Sequence, residues 1–329
     1  ASTPMRGGGF AVLRCRALDF PTMLPRSRIL STLLAGLGVA LVVAGLLAPR
    51  VLLSGARLPL DLGEATWTIA DPDGVRDGEP APVVRQLHLE VQNPSDDDMA
   101  SVRIGDTLRA GEAGNDFDNL LSASTWSYKV DRVAGTAVGD ADVQLVMAMP
   151  AAQVAVDGPW LKLPSPVEAE TVSIFDPVLR GSAPAEFVGE EEIGGRTVYR
   201  FKQVIAPTNI AQRYADMRNT LTVDGPDGPE RTFLFHAAER EYLVDQITGV
   251  VVGIDEKVDD YYGAADGRGV RNIVTYDGKM DRGQVEGIVA KLNAPAPQTQ
   301  QLWRLVTVGI GALLALLGLV FALRPARRV

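Results

Sequence analysis

Two kinds of hydrophobic pattern divide this chain. From Ile29 to Ala48 the sequence ILSTLLAGLGVALVVAGLLA is apolar on every side, with Ser31 and Thr32 its only polar side chains, and Leu305 to Leu323 repeats that character near the other end. At about 1.5 Å per helical residue, runs of this kind cover about 30 Å, the hydrocarbon thickness of a bilayer. A helix packed on a soluble core would keep a polar face, which neither run has. The pattern therefore predicts transmembrane helices at 29–48 and 305–323.

Between these runs the period shortens to two. Val83 to Val91 (VVRQLHLEV) alternates apolar and polar residues and reads as a half-buried strand, with His88 on the polar side beside Gln86 and Glu90. Phe187 to Val204 reads as a hairpin turned by Gly194-Gly195. Trp126 to Val138 and Tyr242 to Val252 are two further hairpins that superpose at an offset of 114 residues, Tyr128 on Tyr242, Asp131 on Asp245, Gly135 on Gly249 and Val138 on Val252. That repeat has two readings, an internal duplication of a β-rich unit or one turn chemistry used twice. Ala100 to Asp118, polar and Gly-rich, has room for a short helix, and Ile210 to Leu221 reads as a short helix; Gln284 to Leu292 fits a helix, and Ala294 to Pro297 a stiff linker.

The expected fold class is a membrane-anchored α+β protein, a mainly antiparallel β-rich extracytoplasmic domain between N- and C-terminal transmembrane helices. Gly36, Ala40, Ala44 and Ala48 recur every four residues in the first run, and Gly311 with Ala315 in the second; such small-residue stripes let helices approach closely and predict that the runs pack on one another or on a partner.

Charge sets the expected orientation. Arg14, Arg16, Arg26 and Arg28 precede the first run and Arg324, Arg327 and Arg328 follow the second, so both ends are expected in the cytoplasm. The expected organisation is a cytoplasmic flank (1–28), a helix (29–48), an extracytoplasmic domain (49–304), a second helix (305–323) and a basic tail (324–329), in the cytoplasmic (inner) membrane. The first run, longer than a signal-peptide core, is expected to be retained. Met23 opens a compact basic start, MLPRSRIL, and the 22 residues before it carry no pattern. Five Arg against one Asp before Ile29 and three Arg after Leu323 together carry +7, so of the formal net charge of −9 the segment between holds about −16. Nucleic acid is thereby excluded as a partner.

Chemistry is sparse. The single cysteine, Cys15, lies in the N-terminal flank, and the two histidines, His88 and His236, have no ligand-spaced neighbours, so no metal and no cofactor is expected. Phosphate-cradling glycine patterns, G-x-S-x-G, H-E-x-x-H and C-x-x-C are missing from the sequence. Asp71-Pro72-Asp73-Gly74 reads as a turn, and Glu190 to Glu192 as a charged strand edge rather than a catalytic carboxylate pair. No catalytic residue is assigned, and the chain is expected not to be an enzyme.

Leu58-Pro59-Leu60-Asp61, the hairpin from Val188-Gly189-Glu190-Glu191 to Thr197-Val198-Tyr199-Arg200-Phe201, and that from Tyr242-Leu243-Val244-Asp245 to Thr248-Gly249-Val250-Val251 together resemble the porin PorA family of actinobacterial envelope proteins, over roughly Met23 to Arg324. The resemblance implies location and topology and transfers no functional residues. The expected function is that of a non-enzymatic envelope protein whose outer domain scaffolds, or binds an envelope lipid, glycolipid or protein; the alternative is an oligomeric porin or channel component, as the family name implies. A homo-oligomer is compatible with either.

Overall fold

In the computed structural model the residues described are 26–53, 56–62, 64–112, 116–145, 150–225, 228–292 and 297–323. They fall into two units, one of described residues from 26–46 and 305–323 and one of those from 47–304.

The second unit is built on one antiparallel sheet of fifteen strands. Its first half runs through β1 (Glu64–Asp71), the short β2 (Val75–Arg76) and β3 (Glu79–Pro80), then β4 (Val83–Gln92), β5 (Met99–Ala110), β6 (Leu120–Asp131), β7 (Ala137–Gln144) and β8 (Ala152–Val154). The second half holds β9 (Val172–Asp176), β10 (Gly181–Ile193), β11 (Arg196–Asn209), β12 (Thr220–Gly225), β13 (Gly228–Asp245), β14 (Val251–Gly263) and β15 (Gly269–Met280). The main path runs β8-β7-β6-β5-β4-β1-β15-β14-β13-β11-β10-β9, so each half is a meander and the first strand of one pairs with the last strand of the other. That seam is short: only Ile69↔Met280 and Ala70↔Lys279 are in register. Further along, β15 pairs with the short β2 of the first half through Val274↔Arg76 and Thr275↔Val75.

Period-two alternation decides what goes inside. In β4, Val83, Arg85, Leu87 and Leu89 are buried while Val84, Gln86 and His88 are half-exposed; His88 Nδ1 lies 2.8 Å from Thr66 Oγ1. The inner face holds Trp67, Leu87, Ile104, Trp126, Phe175, Phe201 and Val251 in one apolar core. Trp126 of β6 meets Trp160 and Phe175 edge-on, each at 5.6 Å between centroids, so aromatic contacts clamp the first half to the start of the second. Trp67 Nε1 donates to Val251 O at 3.1 Å across the same core.

The two hairpins with a shared sequence pattern share a turn geometry. Gly135 N donates to Asp131 O at 2.9 Å, and Gly249 N to Asp245 O at 2.8 Å. Both glycines have φ +71°, the left-handed region that a side chain disfavours. Both turns abut the strap between β8 and β9: a Cβ on Gly135 would fall 1.9 Å from Lys162 O, and one on Gly249 2.1 Å from Leu163 O. Lys162 is buried there, its Nζ donating to Val133 O at 2.9 Å, Leu163 O at 2.6 Å and Ser165 Oγ at 3.2 Å.

The structure departs from expectation in several segments. Ala100 to Asp118 holds the expected short helix, α2 (Asp116–Asn119), but most of it is the twelve-residue strand β5, which its polar, Gly-rich composition does not suggest. Ile210 to Leu221 forms two single 3-10 turns, Ile210–Gln212 and Met217–Asn219, before β12. Helix α3 (Arg282–Lys291) starts at an Asp281 cap, whose side chain accepts from Gly283 N at 2.9 Å.

In the other unit, α1 (Arg26–Leu53) lies against α4 (Pro297–Leu323). Contact runs through glycines seven apart: a Cβ on Gly38 would fall 2.3 Å from Ala315 N, one on Gly311 2.8 Å from Gly38 O, and one on Gly318 2.5 Å from Ala35 N. Gly36 has nothing within 4 Å of its Cβ position, and Ala40 and Ala44 are exposed. The side chain of Ala48 lies outside the described residues.

The expected fold class and its placement as a two-span protein of the cytoplasmic membrane are corrected here. Among the described residues, no helix is long and apolar enough to cross a membrane. This bears on helices alone and leaves β-strands aside. The flanks on which the expected orientation rests, residues 1–25 and 324–329, lie outside the described residues.

The turns give a graded prediction. Gly78→Ala, at φ +85° with open space around it, should cost about 1 kcal/mol. Gly135→Ala and Gly249→Ala add a clash with backbone that cannot step aside, and should each lose more than about 3 kcal/mol. Urea midpoints of the three variants test the order.

Candidate functional site

Four consecutive inward positions on β13 are His236, Ala238, Arg240 and Tyr242, and the registered partners on β14 are Asp260, Val258, Glu256 and Ile254. Alternation that would otherwise carry four apolar residues to the core thus carries a histidine and an arginine, each opposite a carboxylate. Arg85 occupies the same kind of inward position on β4, and Asp106 on the neighbouring β5.

These side chains form one continuous row. Arg85 donates to Asp106 through Nε at 3.1 Å and Nη2 at 2.9 Å, and through Nη1 to Glu256 Oε2 at 2.6 Å. Arg240 donates from Nε to the same Glu256 oxygen at 2.8 Å and from Nη1 to Asp176 Oδ2 at 2.6 Å. His236 sits between Asp176 and Asp260: Nδ1 is 2.5 Å from Asp260 Oδ1, while Nε2 lies 3.5 Å from Asp176 Oδ2, an ion-pair distance without hydrogen-bond geometry. Tyr276 OH donates to the other oxygen of Glu256 at 2.6 Å, and Leu179 N to Asp176 Oδ1 at 2.6 Å. Arg85, Arg240, His236, Asp176 and Glu256 are all buried.

Burial and pairing oppose each other along the row. For Asp176 and Glu256, burial raises the pKa, but neighbouring cations more than offset it and hold both carboxyls below their ordinary range. For His236, burial alone would depress the pKa; Asp260 and Asp176 outweigh it and push the value up to about 9. Tyr242, desolvated beside the row, is raised to about 12 and stays neutral.

The row begins and ends at one cavity. Asp106 and Asp260 both line a space of about 250 Å³, walled by Leu108 and Leu121 from the first half, Leu234 and Val274 from the second, and the turn at Pro177–Val178. Tyr214, Arg218 and Asn219 of the 3-10 segment and Arg180 also line it. The two arginines share Asp216, at 3.8 Å from Arg180 and 3.1 Å from Arg218, and Arg180 lies over the Tyr214 ring at 3.8 Å. Trp126, Ser122 and Ser124 complete the wall.

Of the residues singled out from sequence, His236 belongs to this row, whereas His88 lies outside the cavity wall. Glu191 meets Arg282 at 2.9 Å, an exposed pair. Among the described residues, no group of three or more His, Cys, Asp or Glu is arranged to hold a metal ion. Asp106, Asp176, Glu256 and Asp260 escaped sequence reasoning; the available signal was a charged residue at an inward position of an alternating strand, visible at Arg85 in VVRQLHLEV.

The His236 shift fixes a pH dependence. A group whose folded pKa is about 9 against about 6.5 unfolded adds stability that is complete below pH 6.5 and lost as pH rises through 9. The stability of the full chain minus that of His236→Gln should therefore shrink by on the order of 2–3 kcal/mol between pH 6 and 10, measured by denaturant titration. Lys162, whose pKa burial pushes down to about 7, contributes with the opposite sign but equally to both proteins. A difference that stays flat with pH would mean His236 is neutral in the fold.

The family description whose profile matches the chain is Porin PorA, over residues 30–320. Relatives of that name include Porin PorA of Corynebacterium resistens, 24% identical over 239 residues that cover 60% of this chain and 57% of the relative. Porin PorA of Corynebacterium amycolatum is 23% identical over 188 residues, covering 55% of this chain and 48% of the relative. The chain thus spans about half the length of the curated relatives it matches. With the match reaching from α1 through every strand into α4, the chain belongs to the Porin PorA family.

Proposed function

We propose that the chain is a non-enzymatic, oligomeric component of a cell-envelope porin. The observation that carries this reading is family membership across 30–320, with two relatives that bear the name porin. The inner face of the sheet supports the oligomeric form. It is filled by Trp67, Trp126, Phe175 and Phe201, so a water path fits between copies better than through one.

The helix unit points the same way. Leu33, Leu37, Val39 and Val43 on α1 and Leu313, Leu316 and Phe321 on α4 are exposed, and protein surfaces rarely leave apolar patches of that extent uncovered. Gly36, Ala40 and Ala44 lie on exposed positions of α1, where small side chains suit close approach of a second copy. An envelope lipid or glycolipid fits the cavity poorly, since about 250 Å³ is below the ~300–1,000 Å³ of pockets for drug-sized ligands.

Purified full chain added to planar bilayers should give discrete conductance steps. Ala40→Cys in a Cys15→Ser background should cross-link between copies on mild oxidation. Silent bilayers at high protein loading would overturn the porin reading, and failure to cross-link would remove the α1 contact.

A further inference from the structure

The strap between β8 and β9 holds a buried lysine whose hydrogen bonds lead to the segment that follows α1. Lys162 is 3% exposed, and its Nζ donates to Val133 O at 2.9 Å, Leu163 O at 2.6 Å and Ser165 Oγ at 3.2 Å. Those three acceptors take all three protons of an ammonium. Ser165 Oγ in turn reaches Val133 O at 3.1 Å and, more closely, Ala56 O. Val133 O already accepts from Nζ and from Ser165 N at 3.0 Å, so both of its lone pairs are taken. The hydroxyl proton of Ser165 is therefore committed to Ala56 O.

Removal of one proton from Lys162 reverses that commitment. A neutral amine keeps two donors, enough for Val133 O and Leu163 O, and gains a lone pair that accepts from Ser165 Oγ. A hydroxyl has a single proton, so Ser165 then gives it to Nζ and Ala56 O loses its donor. The next hold on the chain is at Leu58, buried in the core, where Leu58 N donates to Arg132 O at 2.7 Å and Arg132 Nε to Leu58 O at 2.9 Å. Neither bond involves Lys162. The point at which the sheet grips the chain thus moves by two residues, at most about 7 Å of backbone. Ala56 lies three positions after Leu53, the last residue of α1, so the shift changes the length of chain left between α1 and the sheet.

The surroundings bring this exchange to neutral pH. Burial pushes the Lys162 ammonium down to about 7, outweighing the pull of Asp131 and Asp245. Besides these carboxylates of the two turns, the charged groups on the packed elements are Arg132 next to Asp131, Arg196 bound to Asp245 at 2.6 Å, and Arg57 bound to Asp98 at 3.2 Å. Asp131 is held below its ordinary range by bonds from Ala134 N and Val133 N. Carboxylates and guanidiniums as classes keep their charge through pH 6–8, which leaves Lys162 as the group that changes.

We propose that Lys162 and Ser165 form a proton-controlled latch on Ala56, closed when the lysine is charged and open when it is neutral. The latch works within one copy and stands apart from conduction.

The test uses the full chain carrying Cys15→Ser and Ala56→Cys, with a nitroxide on the introduced thiol and its mobility read by electron paramagnetic resonance. The immobile share of the signal should fall several-fold between pH 6 and pH 8, with a midpoint at about 7. With Ser165→Ala added, the label should be mobile at both pH values. With Lys162→Met instead, Ser165 has no amine to turn to, and the label should stay immobile at both. A line shape that does not change with pH in the parent, or a change that survives Ser165→Ala, overturns the proposal. The pH titration of the parent decides the matter even if Lys162→Met does not fold.

Discussion

Glu256 holds the middle of this molecule. One of its oxygens accepts from Arg85 of the first meander and from Arg240 of the second, and the other from Tyr276 at the seam. The two halves meet along β15 through two registered pairs with β1 and two with β2, and across the core by the Trp67 bond to Val251 O and by apolar contact, which is non-directional. A carboxylate shared by guanidiniums from both sides adds direction, because misplacing either half would strand a buried charge. Such pairs contribute little net stability over an apolar replacement, yet leaving one unpartnered costs about 3–5 kcal/mol. Their effect in this fold is therefore on which arrangement forms.

The apolar core and the polar row divide the interior between them. Trp67, Trp126, Trp160 and Phe175 close one part of it, the last three with their rings edge-on to one another. Val83, Ala110, Ile205, Val258 and Val274 form a second, smaller cluster around the row. Gln203 links the two regions, its amide donating to Ile174 O at 2.8 Å and Ala183 O at 3.0 Å, so the first turn of the second meander is fixed by a side chain from the third strand of that half.

How much of this was legible in the sequence depends on which side chain sits at the inward positions. β4 could be read because Leu87, Leu89 and Val91 keep the rhythm and Arg85 breaks it only once. β5 could not, because Gly105 and Asp106 fall where the rhythm is needed, and nothing local says that Asp106 is answered by an arginine on the adjacent strand. His236 was visible as a residue but not as a member of a row, since Asp176 lies 60 positions before it and Asp260 24 after it. The cavity escaped for the same reason: its walls come from β5, β6, β13, β14 and a 3-10 turn, and only the fold brings them together. On the terminal helices the small-residue spacing marks Gly36, Ala40 and Ala44 on α1 and Gly311 and Ala315 on α4; the contact between the two helices uses Gly311 and Ala315 with Gly38, because helix packing selects the residues at one crossing line and composition cannot say which line that is.

The seam between β1 and β15 also sets the order in which the molecule can be made. β1 finds β4 soon after both emerge, but its other edge waits for a partner about two hundred residues later, so the contact order of that pairing is high and its closure slow. Until then the first meander carries an open backbone edge beside Trp67, a surface prone to pair with any strand at hand. The same edge that closes the finished sheet is thus the place where a half-made chain is most exposed to the wrong neighbour, including another copy of itself.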